Sequence, residues 1–178
     1  EITTRLVGSE MCIRDRVCDA IAETLTEMDP ENKDIYQSNA EAYQKKLANL
    51  DAEYQNTVEN AKQNTLLFAD RFPFRYLTDD YGLNYYAAFS GCSAESEASF
   101  KTITFLARKI DELGLNSVFT IEKSDDRIAQ TVIENTKTKD QNILVLNSMQ
   151  SITAQEIADG TTYLSVMEEN LKTLKEAL

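Results

Sequence analysis

In TLLFADRFPFRYLTDDYGLNYYAAF, residues 65–89, the apolar period changes twice. Residues 65–69 form a short continuous apolar run, 73–81 space their apolar side chains for a helix, and 85–89 are apolar again. Gly82 stands where a helix C-terminal cap belongs, because glycine enters left-handed backbone without a Cβ penalty. Strand, helix and strand in that order make a parallel pair through a right-handed crossover. The pattern continues with strands at 117–121 and 143–146 and helices at 99–113 and 125–137. Ser99 and Asp125 are placed as N-caps, and Gly114 as a second C-cap. Thr153-Ala-Gln-Glu156 matches a capping box. Tyr163, Val166, Met167, Leu171 and Leu174 outline a closing amphipathic helix. Residues 64–178 therefore read as one α/β lobe, a four-stranded parallel sheet with flanking helices.

Upstream, from Val17 on, the period is helical. Val17, Ile21, Leu25 and Met28 recur at steps of three and four and give a short amphipathic helix. Asp29-Pro30 ends it and opens another, with Asp as N-cap and Pro at the first helical position. Tyr36, Ala40, Tyr43, Leu47, Leu50, Tyr54, Val58 and Ala61 then form one stripe. A helix over 30–62 would be roughly 50 Å long at ~1.5 Å per residue. Coiled coil and a brace spanning two lobes both account for such a stripe, and heptad spacing does not separate them. We therefore expect a helical segment at 17–63. Residues 1–16 (EITTRLVGSEMCIRDR) keep no helical or strand period and resemble a translated sequencing adapter, so a natural sequence is expected to begin near Val17.

Composition excludes several classes of function. The 178 residues carry 18 Lys+Arg against 30 Asp+Glu, a formal net charge of −12, with no histidine and no tryptophan. Such a balance disfavours nucleic acid or an anionic membrane surface as main partner. The missing imidazole removes Ser-His-Asp and Cys-His catalysis, as well as His-based metal cages within this chain. Cys12, Cys18 and Cys92 are widely spaced, without a disulfide framework or zinc-knuckle pattern. No run reaches membrane-span length, and the N-terminus has no signal-peptide pattern.

In an open parallel sheet, ligands bind beyond the carboxyl ends of the strands. The residues there are Asp70-Arg71, Gly91-Cys92-Ser93-Ala94-Glu95, Glu122 and Asn147-Ser148. Every strand end offers an oxygen donor, and oxygen donors suit a divalent cation. Singly, each has a structural use: Asp70 as a helix cap, Glu122 as an ion-pair partner of Lys123 or Arg127, Asn147 as a turn former. Cys92 is a poor nucleophile beside Glu95 and Glu97, which raise a thiol pKa. Arg71-Phe72-Pro73-Phe74-Arg75-Tyr76 mixes cations with aromatics, as a nucleobase platform would, but an apolar helix face with helix-end charges explains it in so acidic a chain. A small single-domain α/β enzyme or sensor using Mg²⁺ at these carboxylates is a second function class. It requires a phosphate-binding backbone loop, which the five glycines do not supply. A third class is a structural module that oligomerises through its long helix.

Three stretches carry a family resemblance: DPENKDIYQSNAEAYQKKLANLDAEY (29–54), FADRFPFRYLTDDYGLNYYAAFSGCSAESEAS (68–99) and GTTYLSVMEENLKTLKEAL (160–178). In order and spacing they resemble the metal-binding solute receptors of bacterial ABC importers for zinc, manganese or iron, over nearly all of 17–178. The resemblance implies a binding protein, not an enzyme. In that family a long helix joins two α/β lobes about a metal, so this chain would be the brace plus the C-terminal lobe, with the histidine-bearing N-terminal lobe preceding Val17. By position, a ligand often His falls on Arg71, which cannot ligate; one often Glu falls on Glu95; one commonly Asp falls on Asn147, a neutral carbonyl donor. Glu95 is thus the foremost expected metal ligand, with Asn147, Asp70 and Glu122 in support. Zinc or manganese is the implied cargo, with no organic cofactor. An ABC permease subunit is the implied partner, and the location extracytoplasmic, periplasmic or as an anchored lipoprotein. Without a second lobe the brace is expected to self-associate through its apolar stripe.

Overall fold

The computed structural model describes residues 10–89 and 98–178, with the side chains of its first helix described from residue 15. Helix α1 (Glu10–Met28) starts seven residues before the Val17 expected from the stripe, so residues 10–16 continue it. A 3₁₀ turn, Pro30–Asn32, has Pro at its first position, as Asp29-Pro30 implied. The Asp29 carboxylate does not cap the main chain; it accepts from Asn32 Nδ2 at 2.7 Å and the Tyr36 hydroxyl at 2.8 Å. That holds its pKa below the ordinary carboxylate value. Helix α2 (Lys33–Glu59) is 27 residues long, ~40 Å.

The long stripe has partners within the chain. The first half of α2 runs antiparallel against α1, where Gln44 Nε2 donates to Asp19 Oδ1 at 2.7 Å. Its second half buries Leu47, Leu50 and Tyr54. Among the described side chains of α1, Ala22 is the buried one, whereas Val17, Ile21, Leu25 and Met28 are 51%, 55%, 39% and 78% exposed. The apolar stripe of α1 is thus largely exposed, and its less exposed side carries Asp15, Cys18, Ala22 and Thr26.

Strands β1 (Thr65–Phe68), β2 (Asn84–Ala87), β3 (Ser117–Ile121) and β4 (Asn142–Leu146) form one sheet of order β2-β1-β3-β4. All pairings are parallel, with Thr65 opposite Asn84, Phe68 opposite Phe119, and Ser117 opposite Asn142. Between them lie helices α3 (Arg75–Tyr81), α4 (Phe100–Leu113) and α5 (Arg127–Glu134), followed by α6 (Ala154–Ala158) and α7 (Tyr163–Ala177).

Period-two alternation along the central strands sorts the core into two layers. Leu66, Phe68, Phe119 and Ile121 meet Leu50 and Tyr54 of α2, Leu77 of α3, and Met167, Leu171 and Leu174 of α7. Leu67, Ala69 and Val118 face Leu106, Ala107 and Ile110 of α4 and Ala129 and Val132 of α5. Each such large side chain contributes about 1.5–3 kcal/mol by leaving water. Helix α3 begins two residues later than its pattern suggested. Phe72 and Phe74 instead turn inward onto Phe68, with ring centroids at 5.1 and 5.4 Å. The N-cap of α5 is Asp126, at φ 56, one residue beyond Asp125. Asp125 still serves the helix start, accepting from Arg127 N–H at 3.2 Å. Ser99 and Thr153 cap as their spacing implied, Thr153 in a full capping box. Among the described residues no helix is long and apolar enough to cross a membrane.

Candidate metal centre

Strand order reverses between β1 and β3, and the crevice at such a switch point is where α/β sheets hold ligands. Asp70 and Glu122 follow the two strands that flank it. Asp70 Oδ1 accepts from its neighbour's N–H, Arg71, at 2.7 Å, and Oδ2 from Ile121 N–H at 3.4 Å. The carboxylate therefore bridges β1 and β3 across the mouth. Arg71 Nε lies 3.8 Å from Asp70 Oδ1, and the Arg71 side chain is 41% exposed.

Glu122 closes the next gap. Oε2 accepts from Ser148 N–H at 2.7 Å, while Oε1 accepts from the Ser148 hydroxyl at 2.8 Å and Gln150 N–H at 3.1 Å. Partial burial pushes its pKa up, but these donors outweigh burial and the carboxyl sits below its usual value. Glu122 is thus tied to the loop after β4 rather than to Lys123 or Arg127. Lys123 instead donates to the Ser151 carbonyl, and Arg127 pairs with Asp125 at 2.6 Å.

Asn147 makes a local turn, its Oδ1 accepting from Met149 N–H at 2.8 Å. Met149 accordingly takes a left-handed φ of 61, a conformation that costs about 1–2 kcal/mol in a non-glycine residue and needs such support. The peptide groups of Asn147 are held from outside the sheet by Asn170 of α7, which sequence reasoning passed over. Asn170 accepts from Asn147 N–H at 2.8 Å and donates to the Asn147 carbonyl at 2.9 Å. Its signal was a polar residue on the inward stripe of Val166, Met167, Leu171 and Leu174. Beside it a hollow of about 350 Å³ is lined by Phe74, Tyr76, Met149, Tyr163 and Met167.

Three of the four expected donors are therefore drawn to one end of the sheet: Asp70, Glu122 and Asn147. Each spends oxygen lone pairs on main-chain N–H groups. Among the described residues no group of three or more His, Cys, Asp or Glu is arranged to hold a metal. Glu95, with Gly91, Cys92 and Ser93, lies outside the described residues. What the described end of the sheet provides is a rigid, oxygen-lined rim.

A four-stranded parallel lobe on a long helix, with polar groups gathered at the strand ends, has the architecture of one lobe of a solute-binding receptor. The family model for ZnuA, the periplasmic component A of a zinc-uptake complex, matches residues 14–177, and the chain belongs to that family. The zinc-binding lipoprotein AdcA of Streptococcus pneumoniae strain R6 is 31% identical over 161 residues, covering 90% of this chain and 31% of the relative. The metal-dependent lipoprotein YcdH of Bacillus subtilis superposes with a TM-score of 0.78 at 25% identity, over 94% of this chain and 62% of that one. The Zn(II)-bound ZnuA-like domain of S. pneumoniae AdcA superposes with a TM-score of 0.67 at 31% identity, over 88% and 57%. The chain thus spans about a third of the length of AdcA.

Proposed function

We propose that this chain is the brace and C-terminal lobe of an extracytoplasmic receptor that binds zinc and hands it to an ABC permease. The observation that carries the reading is the continuous match of brace and lobe, residues 14–177, to a zinc-uptake component. The Zn(II)-bound structure among its likenesses supports zinc over manganese as cargo. Names of the relatives, lipoprotein among them, support a location outside the cytoplasm.

In this reading the strand ends form one wall of a cleft, and a second lobe supplies the rest of the coordination sphere. Glu95 is the principal donor from this wall. Asn147 contributes a neutral carbonyl, while Asp70 and Glu122 hold the wall in shape and lend negative potential. Arg71, at a position often His in such receptors, keeps one direction free of ligand. The outward stripe Val17, Ile21, Leu25 and Met28 is a face for the second lobe, and in its absence a face for self-association. A receptor of this kind binds and releases, so no acid–base pair is required of it.

Titration calorimetry of the 178-residue chain with Zn²⁺ and Mn²⁺ tests the reading. The expected result is weak zinc binding that Glu95→Gln removes. Sub-micromolar affinity in this chain would overturn the shared coordination sphere, and zinc binding indifferent to Glu95→Gln would overturn the assigned donor.

A further inference from the structure

Asn170 lies on the inward face of α7 and is only 2% exposed. A primary amide there loses its hydration, and burial of that kind is tolerated only where protein partners replace water. Its two short bonds, of 2.8 and 2.9 Å, both go to the main chain of a single residue, Asn147, and its Nδ2 also faces the Met167 sulfur at 3.9 Å. Two bonds to one residue fix the place and tilt of both of its peptide groups, whatever its side chain does. From that fixed point Asn147 turns over Met149 N–H, and Glu122 fastens Ser148 and Gln150. One turn earlier on the same helix, the Met167 carbonyl accepts from the hydroxyl of Tyr54 on the brace at 2.7 Å. Brace and strand-end loop thus hang from adjacent turns of α7.

We propose that Asn170 is a positioning residue for metal binding: it acts through Asn147, setting the 147–150 loop at the rim of the cleft and keying it to the brace. The proposal rests on the receptor reading above and adds to it a residue on a helix behind the sheet. Loss of a group that orients a metal site without touching the ion typically costs about ten- to a hundred-fold in affinity.

The test uses the full 178-residue chain and zinc or manganese alone as probe, followed through amide NMR spectra. Asn170→Asp keeps volume and acceptor but removes the Nδ2 donor; Asn170→Leu removes both and suits the packing. Leu174→Ala, one turn further on and fully buried, disturbs the same helix without touching the loop. Both Asn170 variants are expected to weaken zinc binding about ten-fold or more and to shift the Asn147 and Met149 amides, and Asn170→Leu, which removes the acceptor of the Asn147 N–H, also loses protection of that amide. Leu174→Ala should lower stability and leave affinity within about two-fold of wild type. A wild type that responds to neither ion overturns the receptor reading and this proposal with it. A wild type that binds, beside Asn170 variants that bind equally well, overturns the positioning role alone. If Asn170→Asp does not fold, Asn170→Leu carries the comparison.

Discussion

The hydroxyl of Tyr54 donates to the carbonyl of Met167 at 2.7 Å, joining two helices 113 residues apart in sequence. Its ring also stacks on Tyr81 at 5.2 Å, so one side chain locks brace, α3 and α7 together. Tyr54→Phe keeps the stack and loses the bond. It should cost about 0.5–1.5 kcal/mol, the usual net worth of a buried neutral hydrogen bond. Tyr54→Ala opens a cavity beneath the brace and should cost about 3–5 kcal/mol, as for other large aromatic truncations. Urea denaturation of the two variants checks both values, and equal losses would show that the hydroxyl, not the ring, carries the contact.

Gly114 ends α4 at φ 65, with nothing within 4 Å of where a Cβ would project. Its amide closes the helix by donating to the Ile110 carbonyl. Because the space is open, Gly114→Ala feels only the left-handed backbone penalty, about 1–2 kcal/mol. Thermal unfolding should show a correspondingly lower midpoint with an unchanged native spectrum. A neutral outcome would mean that the backbone relaxes out of the left-handed region.

Strand positions and most helix caps were legible in the sequence because local chemistry dictates them. Gly82, Ser99, Gly114 and Thr153 each occupy the cap that their residue type favours. The outward set of α1 was not legible. Val17, Ile21, Leu25 and Met28 satisfy helical spacing perfectly well, but spacing does not say which partner is present to cover the stripe. The strand-end groups were legible as a place and not as a mechanism. Asp70 and Glu122 were found from topology, yet their engagement with Ile121, Ser148 and Gln150 depends on loops that fold back across 26 residues or more. Asn170 follows no strand and stands on α7, 23 residues from Asn147 in sequence, and only packing brings the two together.

Tyr81 donates to Asp51 Oδ1 at 2.7 Å. Burial, and then that carboxylate, push the phenol well above its ordinary pKa. In the unfolded chain it ionises near pH 10. Its contribution is therefore complete below about pH 10 and is lost as pH rises beyond that value, where the unfolded state alone sheds its proton. Tyr81→Phe should be less stable than wild type at pH 8, and the gap should narrow toward pH 11. A gap constant across that range would show that the phenol ionises equally in both states.

Glu122 has the opposite sign. Its folded pKa lies below the unfolded value because Ser148 and Gln150 donate to the carboxylate more strongly than burial opposes it. Above about pH 4.3, the unfolded value, both states are ionised and the stabilisation is complete. As pH falls through the folded pKa, the native state must take up the proton that the unfolded chain already holds, and the advantage disappears. Glu122→Gln turns an amide toward donors that need an acceptor. It should cost about 1–3 kcal/mol near neutrality, toward the lower end because the site is partly open to water. The difference between wild type and Glu122→Gln should stay level from pH 8 to about 5, and shrink below about 4.3 as both proteins come to lack the charge. Denaturant midpoints across that range measure it. Persistence of the full difference at pH 3 would mean that shape, not charge, is what Glu122 contributes to the loop after β4.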